Sequence, residues 1–306
     1  MSDAWPPGAR DELVRRLAAR ARPMAPMPTE AEPRQPALPG IRAVLFDVYG
    51  TLLISGTGDI GLAEEAARGP AMAGAFRAAG FPGVTDARGA RAAGRFMELI
   101  REAHRERRAA GGEYPEVDIR DIWRDLVREA AAQGGLAAPA HALAIPRLAV
   151  EYESRVNPVW PMPGFEETLT ALRAQGLALG IVSNAQFYTP LTFEALTGRD
   201  PEGWGFDPEL CIWSFEHRRA KPDPWLFEQA LRRLDREYGI APPGTLVVGN
   251  DRLNDIAPAA RLGCRTALFA GDRRSYRPRL GDPRCAGIEP DLVVAGLAPI
   301  AAGLDR

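Results

Sequence analysis

Ile41-Arg-Ala-Val-Leu-Phe46-Asp47-Val-Tyr49-Gly50-Thr51-Leu-Leu53 sets an apolar, β-branched run directly against a carboxylate, with a Gly-Thr pair close behind. A run of about six mostly apolar residues ending near a glycine predicts a strand. A strand apolar on both faces predicts a parallel sheet covered by helices on each side. Ligands of such sheets gather beyond the carboxyl ends of the strands, which makes Asp47 a candidate site residue. Taken alone, Asp47 reads equally well as a turn cap, so the rest of the chain has to decide.

The 306 residues allow one large domain or two smaller ones. A net charge of −2 gives no global basic field for nucleic acid or an anionic membrane, so the expected partner is a small molecule. No apolar run approaches the roughly 20 residues of a membrane span, and the N-terminus lacks the apolar block of a secretory signal. Cys211, Cys264 and Cys285 lie far apart, without the paired spacing of a zinc site. The expectation is a cytoplasmic chain that binds neither nucleic acid nor membrane; its oligomeric state is not legible. All but one of the 38 basic residues are Arg, the exception being Lys221, and asparagine occurs only at 157, 184, 250 and 254. Arg is a planar fork and Lys a compact point charge, so a position that resists such a bias marks chemistry that admits no substitute.

Residues 1–40 combine a short helical pattern from Asp11 to Arg22 with a Pro-rich tract to Pro39 and read as an N-terminal tail or linker. Beyond Ser55-Gly-Thr-Gly58, helical patterns at about 60–79, 86–110, 118–133 and 139–156, broken at Gly80, Gly111-Gly112 and Gly134-Gly135, predict a helical insert over 59–158. From Pro161, strands at 177–182, 210–213, 245–249, 265–269 and 291–294 alternate with helices. That alternation predicts a doubly wound parallel α/β sheet built from 41–58 and 159–306, with Trp160 and Pro161-Met-Pro163 as the return hinge from the insert.

Polar clusters stand at the predicted strand ends: Ser183-Asn184, then Lys221-Pro222-Asp223-Pro224, then Gly249-Asn250-Asp251-Arg252-Leu253-Asn254-Asp255. Each has a plain structural reading as a turn, a cap or a stiff helix entry. Their joint occurrence on one sheet edge points to a shared active site. There Asp47 is a candidate nucleophile that forms a covalent ester. Thr51 and Ser183 are donors to the transferred group, and Lys221 neutralises charge. Asp47, Asp251 and Asp255 offer the hard oxygens that suit Mg²⁺.

On these motifs, which cover residues 41 to about 304, the sequence resembles the haloacid dehalogenase superfamily with a helical cap inserted after the first strand. The resemblance implies a Rossmann-like core, Asp47 as nucleophile, the Tyr49 carbonyl as a metal ligand beside Asn250, Asp251 or Asp255, Lys221 as the charge-balancing cation, and Ser183 and Asn184 in the second motif. Three departures leave the chemistry open. Family phosphatases carry a second Asp two residues after the nucleophile as general acid, and Tyr49 stands there. A phenol with a reference pKa of about 10 is a poor acid near neutrality. Asp-Xaa-Tyr-Gly-Thr resembles instead the metal-independent 2-haloacid dehalogenases, whose halide leaves without a proton. The acidic stretch Asn250–Asp255 resembles the Mg²⁺-dependent members, with Gly-Asn-Asp where Gly-Asp is usual, and Phe227 stands where dehalogenases have Tyr.

Three readings follow. The first is a Mg²⁺-dependent phosphohydrolase of a small phosphorylated metabolite, using a cap acid among Glu113, Glu116 and Asp118 or a leaving group that needs little protonation. Against a role for those acids, the turn Gly111–Asp118 reads more simply as a solvated acidic loop. The second is a metal-independent 2-haloacid dehalogenase. The third is a catalytically weak binding protein that keeps the fold.

Overall fold

Alternate side chains of β1 (Ala43–Phe46) enter two apolar cores, Val44 and Phe46 on one face of the sheet and Ala43 and Leu45 on the other. That is the two-sided burial expected of a central parallel strand. The computed structural model describes residues 6–57, 65–133 and 141–304, with 65–67 described by backbone alone. Within it, β1 is flanked by β4 (Ala178–Ser183) and β6 (Thr245–Gly249), with β5 (Phe206–Trp213) outside β4, and β7 (Arg265–Phe269) then β8 (Leu292–Val294) outside β6. All five pairings are parallel. The chain fills one side of β1 before crossing to the other, so Asp47 emerges at the switch point where an α/β sheet opens a crevice. The expected strand at 210–213 proves to be the end of the longer β5; Asp207, Pro208 and Glu209 are at least partly exposed and interrupt the apolar pattern that would have shown its start.

Two short strands not foreseen from sequence, β2 (Leu53–Ser55) and β3 (Val159–Pro161), pair antiparallel where the chain leaves the core and returns. At three residues each they carry too little pattern to read. The expected hinge at Trp160–Pro161 is thus half of a ribbon.

Between them lie α2 (Glu65–Ala78), α3 (Asp86–Ala109), α4 (Ile119–Ala132) and α5 (Ala144–Val156). Thr85 and Asp118 cap α3 and α4 through their side chains. Phe76, Phe81, Phe96, Trp123 and Tyr152 form the aromatic interior of the insert, with Phe96 and Trp123 at 4.3 Å between ring centroids. The expected first helical turn at 60–64 and the Gly134–Gly135 break lie outside the described residues. In the core, α6 (Phe165–Ala174), α7 (Thr189–Thr197), α8 (Ser214–His217), α9 (Trp225–Tyr238), α10 (Ala257–Arg261) and α11 (Ala298–Ala302) follow the strands. No described helix is long and apolar enough to cross a membrane.

The N-terminal segment is packed where an extended linker was expected. Its helix α1 (Ala9–Arg20) buries Leu13 and Leu17, and it bridges insert and core. Arg16 pairs with Glu151 at 2.8 Å and Glu12 with Arg147 at 2.6 Å on α5, while Arg10 pairs with Asp200 at 3.1 Å beyond α7. The Pro-rich tract then runs along the sheet edge, where Arg34 exchanges both backbone hydrogen bonds with Val293 of β8 (2.9 and 2.8 Å). Prolines suit an edge because the side facing solvent needs no donor, and the tract covers an edge that would otherwise be open.

Candidate active site

The backbone of Asp47 extends the β1–β6 ladder, its N–H donating to the Val248 carbonyl at 2.9 Å. Its carboxylate is buried and unequally dressed. Oδ1 accepts from Lys221 Nζ at 2.7 Å and Ser183 Oγ at 3.1 Å, whereas among the described residues Oδ2 receives a single long 3.4 Å contact, from Thr51 Oγ1. Gly50, at φ +86°, makes this approach possible: a Cβ there would lie 2.4 Å from Ser275 Cβ and 2.9 Å from Asn250 Nδ2.

Lys221 spends all three of its protons, on Asp47, on Asp255 Oδ1 at 2.6 Å and on the Val182 carbonyl at 3.0 Å. Its side chain is 3% exposed, so solvent does not screen these contacts. Burial alone would lower its pKa, but the facing carboxylates of Asp255 and Asp47 prevail and raise it, keeping the ammonium charged. One cation thus serves two carboxylates. Burial raises the Asp255 carboxyl, Lys221 opposes that rise, and Asp47 adds to it. Asn184 holds the loop that delivers Lys221, accepting from its backbone N–H at 2.7 Å and donating to its carbonyl at 3.2 Å. Asn184 thus fixes the Lys221 backbone at both its N–H and its carbonyl.

The acidic stretch splits. Asn250 Oδ1 accepts from Thr51 Oγ1 at 3.2 Å, the hydroxyl that also reaches Asp47, while Asn250 Nδ2 donates to the Ser275 carbonyl at 2.6 Å and so fixes the amide's orientation. Asp251 turns elsewhere: it caps the π-type turn Arg252–Ile256 through the Leu253 N–H at 2.9 Å and takes a two-pronged pair from Arg279 (3.0 and 2.6 Å). Asp255 comes back beneath Gly249, where a Cβ would lie 2.3 Å from its Cγ, and accepts from the Asp251 N–H at 3.0 Å.

Among the described residues, no three His, Cys, Asp or Glu side chains converge to cage a metal ion. Magnesium does not require a cage; it is commonly held by one or two carboxylates plus water and substrate phosphate. Of the residues expected to bind it, Asn250 presents Oδ1 next to Asp47, the two meeting at the Thr51 hydroxyl beside the Tyr49–Gly50 turn, whereas Asp251 and Asp255 are engaged by Arg279 and Lys221. This donor set fits an ion carried largely by its own waters and the substrate.

Tyr49 directs its hydroxyl to Thr189 Oγ1 at 2.9 Å, at the start of α7. Burial, aided by Glu153, raises the phenol well above its ordinary value. Phe227 is buried in the second core and brings no hydroxyl to the site. The arginine-rich loop after β7 is largely paired within itself and its surroundings, through Asp272–Arg274, Asp251–Arg279 and Asp282–Arg284.

A cavity of about 290 Å³ opens between insert and core, walled by Phe96, Ile100, Trp123 and Val156, with Arg68, His104, Glu116, Glu153 and Asn184 as its polar lining. None but Asn184 was assigned to a site from sequence, although Glu116 was a candidate acid. Of the three candidates, Glu113 is exposed and Asp118 is tied to Arg120 at 2.7 Å. The turn expected to be solvated is instead paired with the core: Glu116 N–H donates to the Arg218 carbonyl at 3.1 Å, and Ala220 N–H to the Tyr114 carbonyl at 2.9 Å, directly before Lys221.

Over 102 residues the chain is 34% identical to the phosphoglycolate phosphatases of Escherichia coli K12 and Shigella flexneri, a match over 33% of this chain that spans about a third (36%) of those relatives' length. Among solved structures, a haloacid dehalogenase-superfamily (HAD) phosphatase from Thermococcus onnurineus is 20% identical (86% of this chain, 97% of that one, TM-score 0.48). The L-2-haloacid dehalogenase from Xanthobacter autotrophicus is 21% identical (86% and 97%, TM-score 0.44). The family model for haloacid dehalogenase-like hydrolases matches residues 41–263, a span that takes in Asp47, Ser183, Lys221 and the acidic stretch to Asp255, and the chain belongs to that family of hydrolases.

Proposed function

We propose that this hydrolase cleaves phosphate from a small phosphorylated metabolite with the help of Mg²⁺, through a phosphoryl ester on Asp47. The observation that carries the reading is the unequal dressing of Asp47. Oδ1 is anchored by Lys221 and Ser183, leaving Oδ2 with its lone pairs free to attack. Lys221 sets a fixed positive charge beside the reacting carboxylate, and the hydroxyls of Ser183 and Thr51, held on Asp47 and Asn250, turn to the transferring group when it arrives; such electrostatic preorganisation commonly contributes more to catalysis than any other single effect. Water then hydrolyses the ester and returns Asp47. The Tyr49 carbonyl and Asn250 Oδ1 would hold the metal beside Asp47, and its contribution when bound is to withdraw charge from the phosphoryl oxygens. The phosphatase relatives support the phosphoryl group as the substrate's reactive part. The helical insert serves as the cap, with the β2–β3 ribbon as its hinge.

A second reading, dehalogenation of a 2-haloacid, is favoured by Tyr49, whose hydroxyl is held by Thr189 and leaves the first motif without an acid. The two separate in one panel: p-nitrophenyl phosphate, acetyl phosphate and 2-chloropropionate, each with Mg²⁺ and with chelator. Mg²⁺-dependent phosphate release, abolished in Asp47→Asn, is expected. Chloride release that survives chelation would establish the second reading in its place.

A further inference from the structure

We propose that Glu116, on the cap segment paired with the loop before Lys221, is the general acid that protonates the leaving oxygen, the role left vacant by Tyr49. This rests on the phosphohydrolase reading. Glu116 lines the cavity with Asn184, which holds the Lys221 backbone. Its Oε2 lies 2.9 Å from Ser214 Oγ, and Ser214 Oγ accepts from the Ala185 N–H at 2.9 Å, two residues beyond the Ser183 that holds Asp47. The carboxyl is thus one hydroxyl away from the loop that shapes the nucleophile's surroundings.

The wiring accommodates both protonation states. Ser214 Oγ has two acceptors for its single proton, Glu116 Oε2 and the Ala185 carbonyl at 3.2 Å. With Glu116 neutral, Oε2–H donates to Ser214 and the serine proton goes to Ala185. With Glu116 ionised, the serine proton turns to Oε2, while the Val117 N–H, 2.9 Å from Oε1, stabilises the carboxylate. Burial raises the Glu116 carboxyl above the usual range, against the bonds from Val117 and Ser214. Among the described residues, the other charged or titratable groups around it are Arg218 on the paired loop, Tyr188 before α7, and His104, Arg68, Tyr152 and Glu153 across the cavity.

The step balances. Asp47 Oδ2 forms a bond to phosphorus, the bond from phosphorus to the leaving oxygen breaks with its electron pair on that oxygen, and the Oε2–H of Glu116 turns from Ser214 to that oxygen and gives it the proton. The alcohol departs, and the carboxylate recovers a proton from solvent. Tyr114 and Pro115, on the same strand-like segment, tie this acid to the loop of Lys221, so cation and acid are placed by one pairing.

The test compares wild-type protein and Glu116→Gln on a series of substituted phenyl phosphates of increasing leaving-group basicity, with Mg²⁺. Wild-type kcat/KM should depend weakly on basicity. Glu116→Gln should lose activity progressively, reaching about 10²- to 10⁴-fold for the most basic leaving groups, and should lack the fall in rate that wild type shows as pH rises and Glu116 ionises. Glu116→Asp should recover part of the loss. A uniform loss across the series would make Glu116 a support for the Lys221 loop and overturn the proposal, as would a wild-type dependence as steep as the variant's. If wild type releases no phosphate from any member, the phosphohydrolase reading itself falls, and the proposal with it.

Discussion

Two clusters of charge lie on either side of Tyr49, and they are built to opposite rules. On the sheet edge, Lys221 is shared by Asp47 and Asp255, so carboxylates outnumber the cation. On the far side, where α1 meets α5, Glu12 and Glu151 are surrounded by Arg16, Arg20, Arg147 and Arg155, so cations outnumber the acids. The pKa shifts follow the count. Burial raises the Asp255 carboxyl, with Asp47 adding to it. Burial also acts to raise Glu151, but bonds from Arg155 and Arg16 bring it below the usual range, and the bond from Arg147 leads in lowering Glu12 to about 2. A cluster short of cation still attracts positive charge, which suits a site for a metal ion and a proton. A cluster rich in cation is closed and acts as a clasp.

The largest effect should come from removing the scarce cation. Lys221→Met leaves two buried carboxylates facing each other, and breaking a buried pair from one side costs about 3–5 kcal/mol. The urea midpoint at pH 7 should fall accordingly, and phosphate release should drop by at least about 10²- to 10³-fold. Lowering the pH toward 5 should restore part of the variant's stability, because protonating one carboxylate removes the repulsion. A variant as stable as its parent from pH 5 to 8 would mean that the edge cluster is not short of cation.

The clasp predicts a pH dependence of definite sign. Glu12 is depressed from 4.5 to about 2, so its contribution is fully present above about 4.5 and is lost as pH falls toward 2. With the side chain 24% exposed, that contribution is roughly 1–2 kcal/mol after solvent screening. In Glu12→Gln, the thermal midpoint should fall at pH 7 and converge on the parent's as pH falls to about 2. Equal spacing of the two curves at every pH would show that the glutamate acts by packing alone.

The two clusters also differ in how far they can be read from sequence. Lys221 announces itself as the only lysine among 38 basic residues, and Asp47 and Ser183 stand at or just beyond strand ends whose apolar runs are unmistakable. Which acid faces Lys221 was not legible, because Asp251 and Asp255 lie within one turn, and only the π-type winding of Arg252–Ile256 brings the latter under Gly249. The clasp was hidden for a different reason. Glu12 and Arg147 are 135 residues apart, and in a chain this rich in arginine every acid has many conceivable partners. The acidic turn before α4 looked solvated because nothing within it foretells pairing with residues 218–220.

Tyr49 stands between the two regions and gives the smallest effect and the finest test of their separation. Its backbone belongs to the turn after the nucleophile, but its ring joins the core, and its hydroxyl meets Thr189 rather than Asp47. Tyr49→Phe keeps the carbonyl and removes one hydrogen bond, so stability should fall by about 0.5–1.5 kcal/mol. Because the ring does not address the leaving group, the variant's dependence on leaving-group basicity should match that of the parent, in contrast to Glu116→Gln. Measuring both variants on the same phosphate series separates the positions: a steeper dependence in Tyr49→Phe would return the proton-donating role to the first motif, and the cluster boundary drawn through Tyr49 would have to move.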